Sequence, residues 1–286
     1  MRARICAPLG LISMAVSMAA FTYDQDLEAW RQRREAKLKA DDGWLTVAGL
    51  FWLHDGENVA GSDPASAITL PRGPARLGVF RFENGRTSFQ PAGGVSVAAV
   101  PELKSDTDHG GPDLVQFGDF TMFVIHRGNR YAIRLKDKQS EFRKGFTGLH
   151  WYPGNEQYRV VAKWVAYPEP KTMAVPNILG ETEQQPNPGY AVFSLHGRAY
   201  QLYPVLEGKQ LFFIFRDQTS GKETYPSGRF LYSELPEDGH VILDFNKAQN
   251  PPCAFTPYAT CPLPPPQNRL AVRIEAGELD YGHHTH

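Results

Sequence analysis

Apolar residues recur at helical spacing near the start of the chain. Leu27, Trp30 and Leu38 fall on one face of a helix over residues 24–40, and basic residues surround them. Two aspartates stand at the beginning of this segment, where the helix dipole favours negative charge. The pattern predicts one amphipathic N-terminal helix whose basic face is exposed to solvent.

After Gly43 the pattern changes to short runs rich in β-branched and aromatic residues, each bounded by turn-forming residues. The segments "ENGR" (83–86), "RGNR" (127–130) and "LHGRA" (195–199) place glycine and asparagine where hairpin turns need a positive φ. Neighbouring strands are therefore predicted to be antiparallel. The predicted strands lie within residues 44–53, 75–84, 86–92, 95–100, 114–137, 158–168, 190–208, 210–217, 228–235 and 240–246.

The order of these elements predicts the fold class. No window of a dozen residues after the first helix keeps a helical period, which disfavours α/β crossovers, and no fixed-period repeat indicates a propeller or solenoid. We predict a mainly β fold, an antiparallel sandwich or barrel with one N-terminal amphipathic helix and a C-terminal proline-rich arm. Residues 21–282 are predicted to form a single β-rich domain. The stretch 182–189 is the most linker-like, yet the strands on either side of it have the same character, and two β lobes in contact remain the alternative.

Composition and charge narrow the classes of partner. The chain has 286 residues, of which 42% are hydrophobic, so it can bury a substantial core. Thirty Lys and Arg residues stand against 31 Asp and Glu residues, which gives a formal net charge of -1. No long-range field attracts nucleic acid, and a nucleic-acid partner is not expected.

The first twenty residues, "MRARICAPLGLISMAVSMAA", have the layout of a secretory signal peptide. Arg2 and Arg4 precede an apolar run, and small residues near its end predict cleavage after Ala19. The run is too short and poorly flanked for a convincing membrane-spanning helix. The mature protein is therefore expected in the periplasm or secreted, with no stable membrane span. A cytoplasmic protein with an apolar N-terminal extension is the alternative.

The proline-rich arm, residues 251–266, is too rigid for a helix and too interrupted for a regular strand. It stays ordered only if it packs against the sheet. Cys253 and Cys261 lie eight positions apart in it, and they remain as an even pair once Cys6 leaves with the signal peptide. The leading interpretation is a structural cysteine pair, bonded in a disulfide or simply buried. A loop lining a site, and metal or redox chemistry, remain open.

The TSG hairpin, residues 215–232, concentrates polar side chains between two predicted strands. As structure, Asp217 caps a turn and Tyr225 covers the edge of the core. As function, Asp217 and Arg229 form a charged pair in a pocket, with Tyr225 as a donor. Ser220 lacks the full G-x-S-x-G motif of a hydrolase nucleophile.

Asp244 ends an apolar strand, and its carboxylate needs a hydrogen-bond donor or a changed protonation state. It is either an anchor for the proline-rich arm or an acid catalyst. The acidic loop 103–113 lacks the spacing of a calcium-binding loop, and the tail 283–286 is assigned no role. No metal and no cofactor are expected.

Four segments together are similar to one known family. They are "GWLTVAGLFWLHDGENVAGSDP" (43–64), "FRDQTSGKETYPSGRFLY" (215–232), "DFNKAQNPPCAFTPYATCPLPPPQNRL" (244–270) and "EAGE" (275–278). They resemble a chiefly bacterial family catalogued as domain of unknown function number 1684, from Asp24 to Glu278. The resemblance implies a shared site or a shared core and brings no catalytic role. The positions that match its motifs are Asp217, Thr219, Ser220, Gly221, Thr224, Tyr225, Gly228 and Arg229, and then Asp244, Asn246, Asn250, Cys253, Cys261, Pro262 and Asn268.

The expected function is binding of a small anionic molecule or glycan in a pocket lined by the TSG hairpin and the proline-rich arm. A hydrolase-like enzyme that uses Asp217, Tyr225 and Asp244 near Arg229, and a structural envelope protein without a pocket, are the alternatives. No catalytic residue and no oligomeric state are assigned. The residues predicted to bind the ligand are Asp217, Thr219, Ser220, Tyr225, Arg229, Asp244 and Asn246.

Overall fold

The computed structural model describes residues 10–282, with side chains from Tyr23 onward. The predicted signal peptide, residues 1–20, and the histidine tail, residues 283–286, lie outside the part whose side chains are described. Both predictions therefore stay predictions. Within the described part, no helix has both the length and the apolar composition needed to cross a membrane.

Residues 10–282 form two α-helices and sixteen strands, which confirms the prediction of a mainly β fold. The helices are α1 (Gly10–Lys39) and the single turn α2 (Glu141–Lys144). The strands are β1 (Val47–Trp52), β2 (Gly56–Gly61), β3 (Ile68–Thr69), β4 (Gly78–Glu83), β5 (Arg86–Pro91), β6 (Val100–Leu103), β7 (Val115–Phe117), β8 (Phe120–Arg127), β9 (Arg130–Asp137), β10 (Arg159–Pro176), β11 (Thr182–Leu195), β12 (Arg198–Leu202), β13 (Val205–Glu207), β14 (Gln210–Phe215), β15 (Arg229–Glu234) and β16 (His240–Asp244).

The chain divides into two compact units. The first unit contains the chain up to Lys37, Gly148–Pro251 and Pro262–Gly282, and the second contains Leu38–Thr147 and Pro252–Cys261. The proline-rich arm is therefore divided: residues 252–261 belong to the second unit, and Pro251 and residues 262–266 belong to the first. The single domain predicted for residues 21–282 stays a prediction.

The first unit is a sandwich of two open antiparallel sheets, ordered β12-β11-β10-β16 and β13-β14-β15. Phe193 from one sheet and Phe213 from the other lie in the same hydrophobic core. The C-terminal segment, residues 268–279, adds alternate side chains to this core although it forms no regular strand. The apolar residues that it contributes are Leu270, Val272, Ile274 and Ala276.

Helix α1 packs on the first unit through the predicted apolar face, since Leu27 is buried. Trp30 meets Trp151 edge to face, with ring centroids 5.6 Å apart. The basic face differs from the prediction of a solvated surface. Arg31 donates to the Tyr152 carbonyl at 2.9 Å, and Arg34 forms an ion pair described below. The helix is held by these charges as well as by its apolar stripe.

The second unit is also built from two open sheets, ordered β1-β9-β8-β7 and β3-β2-β4-β5-β6. All pairs are antiparallel except the short parallel pair of β2 and β3. Phe80 and Phe89 from one sheet share a core with Met122 and Ile133 from the other. None of the four sheets closes into a barrel, so the sandwich is the correct one of the two predicted forms.

The predicted hairpins are confirmed where the turn chemistry is local. Asn84 and Gly85 adopt φ values of 52° and 78° between β4 and β5, and His196 and Gly197 adopt 51° and 74° between β11 and β12. Turns of this hand match the twist of the flanking strands.

One strand prediction and one linker prediction are wrong. Residues 95–100 form a strand only from Val100, because Val95 and Val97 pack against the core without pairing to a neighbour. The linker-like stretch 182–189 is part of β11 and pairs with the end of β10. Periodicity reports which side chains are buried, and pairing depends on a partner strand that the local sequence does not show.

Candidate functional site

The carboxylate of Asp217 is the centre of a buried network in the TSG hairpin. It accepts hydrogen bonds from the Thr219 hydroxyl at 2.9 Å, from the Ser220 hydroxyl at 3.4 Å and from the Ile274 backbone N–H at 2.7 Å. Arg229 adds a charged donor at 3.2 Å. Both carboxylate oxygens are therefore occupied within the protein.

Arg229 holds the C-terminal segment against the TSG hairpin. Its side chain is 0% exposed, and its guanidinium donates to the Ile274 carbonyl at 3.0 Å and to the Ala276 carbonyl. Burial lowers the pKa of Arg229, and the charge of Asp217 opposes that effect. Arg229 was expected to anchor an anionic ligand. In the structure its side chain is buried, and its positive charge is paired with the Asp217 carboxylate.

Thr219, Thr224 and Tyr225 of the TSG hairpin are also interior, whereas Ser220 is half-buried. The hydroxyl oxygens of Thr219 and Thr224 lie 2.8 Å apart, and the Tyr225 side chain is fully buried. A small molecule at the surface would contact none of these three side chains. These side chains of the TSG hairpin pack beneath the protein surface. The predicted contact between the hairpin and a ligand stays a prediction.

A second buried ion pair, between Arg34 and Glu278, connects helix α1 to the C-terminal segment and to Asn250. Glu278 is fully buried and accepts from Arg34 at 2.9 Å and from the Asn250 backbone N–H at 2.7 Å. Arg34 also donates to the Asn250 carbonyl at 3.0 Å. Burial raises the pKa of Glu278, although the charge of Arg34 acts in the opposite direction.

Asp244 and Asn246 belong to a third polar cluster with Tyr23 of helix α1. The Tyr23 hydroxyl donates to Asp244 at 2.9 Å, and Lys247 forms an ion pair with the same carboxylate at 3.3 Å. Asn246 exchanges hydrogen bonds with the Asn155 backbone at 2.9 and 3.0 Å. Burial and the charge of Asp244 raise the pKa of Tyr23. This cluster anchors helix α1, and among the described residues none of its hydrogen bonds or ion pairs reaches Asp217 or Arg229.

The cysteine pair lies in the second unit. Cys253 and Cys261 are both buried free thiols, and the Cys253 backbone N–H donates to the Cys261 sulfur at 3.2 Å. Thr256 donates to the Val47 carbonyl at 2.9 Å, and Arg127 donates to the Thr260 hydroxyl at 3.0 Å. These contacts fix the cysteine-bearing part of the arm on β1 and β8.

The end of the arm and the C-terminal segment do pack against the TSG hairpin in the first unit. Leu270 donates to the Arg216 carbonyl at 2.7 Å, and Gln218 donates to the Val272 carbonyl at 2.9 Å. Pro264 lies against Gly228. The two segments expected to meet therefore do so through residues 262–279.

The acidic loop 103–113 is explained by local structure. Asp106 pairs with Arg127 at 2.7 Å, and Asp108 accepts from the Ser105 backbone at 2.6 Å. Across residues 10–282, no three His, Cys, Asp or Glu side chains converge as metal ligands do.

An open groove of about 380 Å³ lies on the first unit where the TSG hairpin meets the C-terminal segment. We call it the Arg198 groove. Tyr158, His196, Arg198, Tyr200, Gln218 and Arg273 are among its lining residues.

The two arginines that line the Arg198 groove differ in whether they form ion pairs. Arg273 donates to Glu223 at 2.9 Å and to Glu275 at 2.8 Å, and these hydrogen bonds raise its pKa. Arg198 forms no ion pair among the described residues. Glu275 also lines the groove, so Arg198 is the lining arginine without an ion pair, while the Arg273 cluster holds two carboxylates.

Sequence reasoning missed these lining residues, although two signals pointed to them. Arg198 lies within the predicted turn segment "LHGRA", and a residue at a hairpin tip is exposed. Arg273 lies between the buried residues Val272 and Ile274, so alternation alone directs its side chain outward.

Comparison with known proteins shows that residues 144–279 match a protein family. The model of the family described as "Protein of unknown function (DUF1684)" matches residues 144–279. An uncharacterised protein of Haloarcula marismortui, solved by solution NMR, is 32% identical over 49% of this chain and 81% of its own, with a TM-score of 0.42. No curated protein matches the chain. The segment 43–64, which the sequence resemblance included, lies outside the match. The chain belongs, through residues 144–279, to the DUF1684 family of proteins of unknown function.

Proposed function

We propose that the first unit binds a small anionic molecule, such as an acidic sugar, in the Arg198 groove. The observation that carries this proposal is the position of Arg198, an exposed guanidinium in an open groove with no carboxylate partner among the described residues. A guanidinium recognises a carboxylate or phosphate through two parallel hydrogen bonds, and this pairing is stronger than one between neutral groups.

Aromatic side chains give the groove a second recognition element. Tyr158 and Tyr200 line it, and Tyr200 is braced by Phe193 with ring centroids 5.8 Å apart. His196 meets Tyr158 edge to face at 6.2 Å. Tyrosine presents an apolar ring together with a hydroxyl, which suits a ligand with both apolar and polar faces.

The buried TSG network holds the groove in shape. Asp217 binds the Ile274 backbone N–H, and Arg229 binds the carbonyls of Ile274 and Ala276. Arg273 and Glu275 lie at alternating positions of this clamped segment, so their side chains are directed to the surface. A site whose supporting residues are locked loses less entropy when a ligand binds.

Arg198→Gln is expected to weaken the binding of glucuronate by roughly tenfold to a hundredfold, since a hydrogen bond to a charged group contributes about 1.5–3 kcal/mol. Isothermal titration calorimetry with glucuronate and with glucose measures this effect. Glucose lacks the carboxylate and is expected to bind more weakly to the wild type and equally to both proteins.

Arg269→Gln is the matched control, because Arg269 is exposed and does not line the groove. It is expected to leave glucuronate binding unchanged. Absence of glucuronate binding by the wild type, or equal losses in the two variants, would contradict the proposal.

We also propose export of the chain, from the basic and apolar pattern of residues 1–20. The full sequence is expressed with a C-terminal tag in a Gram-negative host. The protein is expected in the periplasmic fraction, with a mass reduced by that of the signal peptide. Replacing Arg2 and Arg4 by Glu is expected to retain the protein in the cytoplasm at full length. A wild-type protein that stays full-length in the cytoplasm would rule out export.

A further inference from the structure

Two exposed arginines of the first unit lie side by side where the C-terminal segment meets the TSG hairpin. Arg216 and Arg269 form a parallel β-bridge, and we call them the arginine pair. The Arg216 backbone N–H donates to the Asn268 carbonyl at 3.0 Å, and the Leu270 backbone N–H donates to the Arg216 carbonyl at 2.7 Å. Because these hydrogen bonds flank Arg269 on both sides, the backbone holds the two arginines opposite each other.

The arginine pair lies on the same face as the floor of the Arg198 groove. Each of the two arginines is exposed between two buried neighbours in the sequence. Alternate residues of an extended strand share one face, so Arg216 shares its face with Gln218. Arg269 likewise shares its face with Ala271. Both Gln218 and Ala271 line the groove, and the arginine pair therefore lies about 7 Å further along that face.

The wall of the Arg198 groove runs to the same place. Strand β12 carries Arg198 and Tyr200, which line the groove. The residue that follows this strand, Tyr203, is held to the Asn268 side chain by hydrogen bonds of 2.7 and 2.9 Å through its backbone. Asn268 directly precedes Arg269. The groove therefore has Arg198 at one end of its wall and the arginine pair at the other.

The arginine pair has no acidic partner. Neither of the two arginines forms an ion pair among the described residues. Asp217, which directly follows Arg216, is buried and paired with Arg229. Glu275 of the same surface is paired with Arg273. Like charges that lie opposite each other on paired strands repel and are destabilising. The fold thus holds two cations together without supplying an opposite charge.

We propose that the Arg198 groove and the arginine pair together bind an oligomer of acidic sugars, with one carboxylate at Arg198 and a second at the arginine pair. This inference rests on the proposed function and extends the ligand from one acidic sugar to a chain. A carboxylate that lies between two guanidiniums supplies the charge that the protein lacks there, through charge-assisted hydrogen bonds.

The dimensions and the polar groups of the surface fit such a chain. Strand β12 extends over about 13 Å from Arg198 to Leu202, so a single sugar ring is too short to occupy both ends. Gln218 lies between the two charged ends and offers an amide, which donates to and accepts from neutral hydroxyls. An acidic oligosaccharide carries hydroxyls of this kind between its carboxylates. The surface therefore matches a chain in which charged and neutral polar groups alternate.

Isothermal titration calorimetry with galacturonate and with trigalacturonate tests this inference through the ratio of the two affinities. The wild type is expected to bind the trimer roughly tenfold to a hundredfold more tightly than the monomer, because a second carboxylate binds within the same complex. In the double variant Arg216→Gln with Arg269→Gln, the ratio is expected to fall to about threefold. That remainder is the statistical advantage of three carboxylates competing for one site.

The double variant Lys163→Gln with Lys209→Gln is the charge-matched control. Both lysines are exposed, Lys163 on β10 and Lys209 in the turn between β13 and β14. Lys209 is at the opposite end of β14 from Arg216. This variant removes the same number of positive charges from the first unit and is expected to retain the affinity ratio of the wild type.

Thermal unfolding without ligand separates a binding role of the arginine pair from a structural one. The Arg216 and Arg269 double variant is expected to unfold at the same temperature as the wild type or a higher one, since a repulsion is removed. A lower temperature would show that the pair supports the fold and would overturn the inference.

The titrations also distinguish this inference from the proposed function. A wild type that binds galacturonate but gains nothing from the trimer would overturn the oligomer and leave the groove as proposed. A wild type that binds neither sugar would overturn both. Equal ratios in the two double variants, or tighter binding of an oligothymidylate with three phosphates than of trigalacturonate, would also refute the oligosaccharide.

Discussion

Replacing Arg229 with methionine is expected to lower the free energy of unfolding of the first unit by about 3–5 kcal/mol. The substitution leaves the Asp217 carboxylate buried without its cation, and it leaves the carbonyls of Ile274 and Ala276 without their donor. Urea denaturation followed by circular dichroism measures the loss. The C-terminal segment, which these contacts hold, should show the largest gain in amide hydrogen exchange.

A double-mutant cycle separates the charge pair from general damage to the core. Asp217→Asn alone is expected to be destabilising, and Asp217→Asn with Arg229→Met is expected to cost less than the sum of the two single changes, since no orphan charge remains. Additive losses would contradict the assigned pairing.

Arg273→Met is the exposed counterpart of this experiment. Arg273 has a side chain 38% exposed, and its pair with Glu223 is 2.9 Å long. Pairs of this kind contribute about 0–1 kcal/mol. The two ion-pair distances are similar. The difference between the two losses of unfolding free energy is therefore expected to come from the difference in burial.

Gly228→Ala is expected to destabilise the first unit by about 2–5 kcal/mol. Gly228 has a φ of 103°, and a Cβ atom there would lie 2.5 Å from the Phe215 carbonyl oxygen and 2.6 Å from Cγ of Pro264. Either the backbone of the TSG hairpin or the end of the proline-rich arm must move. Urea denaturation gives the loss, and hydrogen exchange around residues 214–218 and 268–272 shows whether the two segments separate.

Gly239→Ala is the control for backbone strain alone. Its φ is 74°, and a Cβ atom there would meet nothing within 4 Å. The expected cost is only that of a left-handed conformation, about 1–2 kcal/mol. Equal losses at the two glycines would show that the close approach of Pro264 to the hairpin contributes nothing.

The local features of this fold were readable in the sequence. The turn at Asn84 and Gly85 needs only its own residues to adopt positive φ, and the apolar face of α1 depends on the spacing of Leu27 with its neighbours. The predicted ranges also cover most strands of both units, but β2 and β3 lie outside them. Errors arose where apolar alternation at residues 95–100 reflected packing without pairing.

The candidate site was only partly readable. The TSG hairpin and the C-terminal region do meet, as the density of polar and proline residues suggested, but Arg229 lies beneath the surface and Arg198 lies on it. An arginine looks the same in a sequence whether it is buried or exposed. Its environment depends on carbonyls such as those of Ile274 and Ala276, which lie more than forty positions away.

The sequence by itself determined the β architecture, the hairpins, the helix and the family, because each depends on short-range patterns or on motifs matched as strings. Only the tertiary structure decided that Asp217 and Arg229 neutralise each other beneath the surface, and that Arg198 has no carboxylate partner among the described residues. The physical reason is that the free energy of a charge depends on desolvation and on nearby opposite charges. Long-range folding sets both.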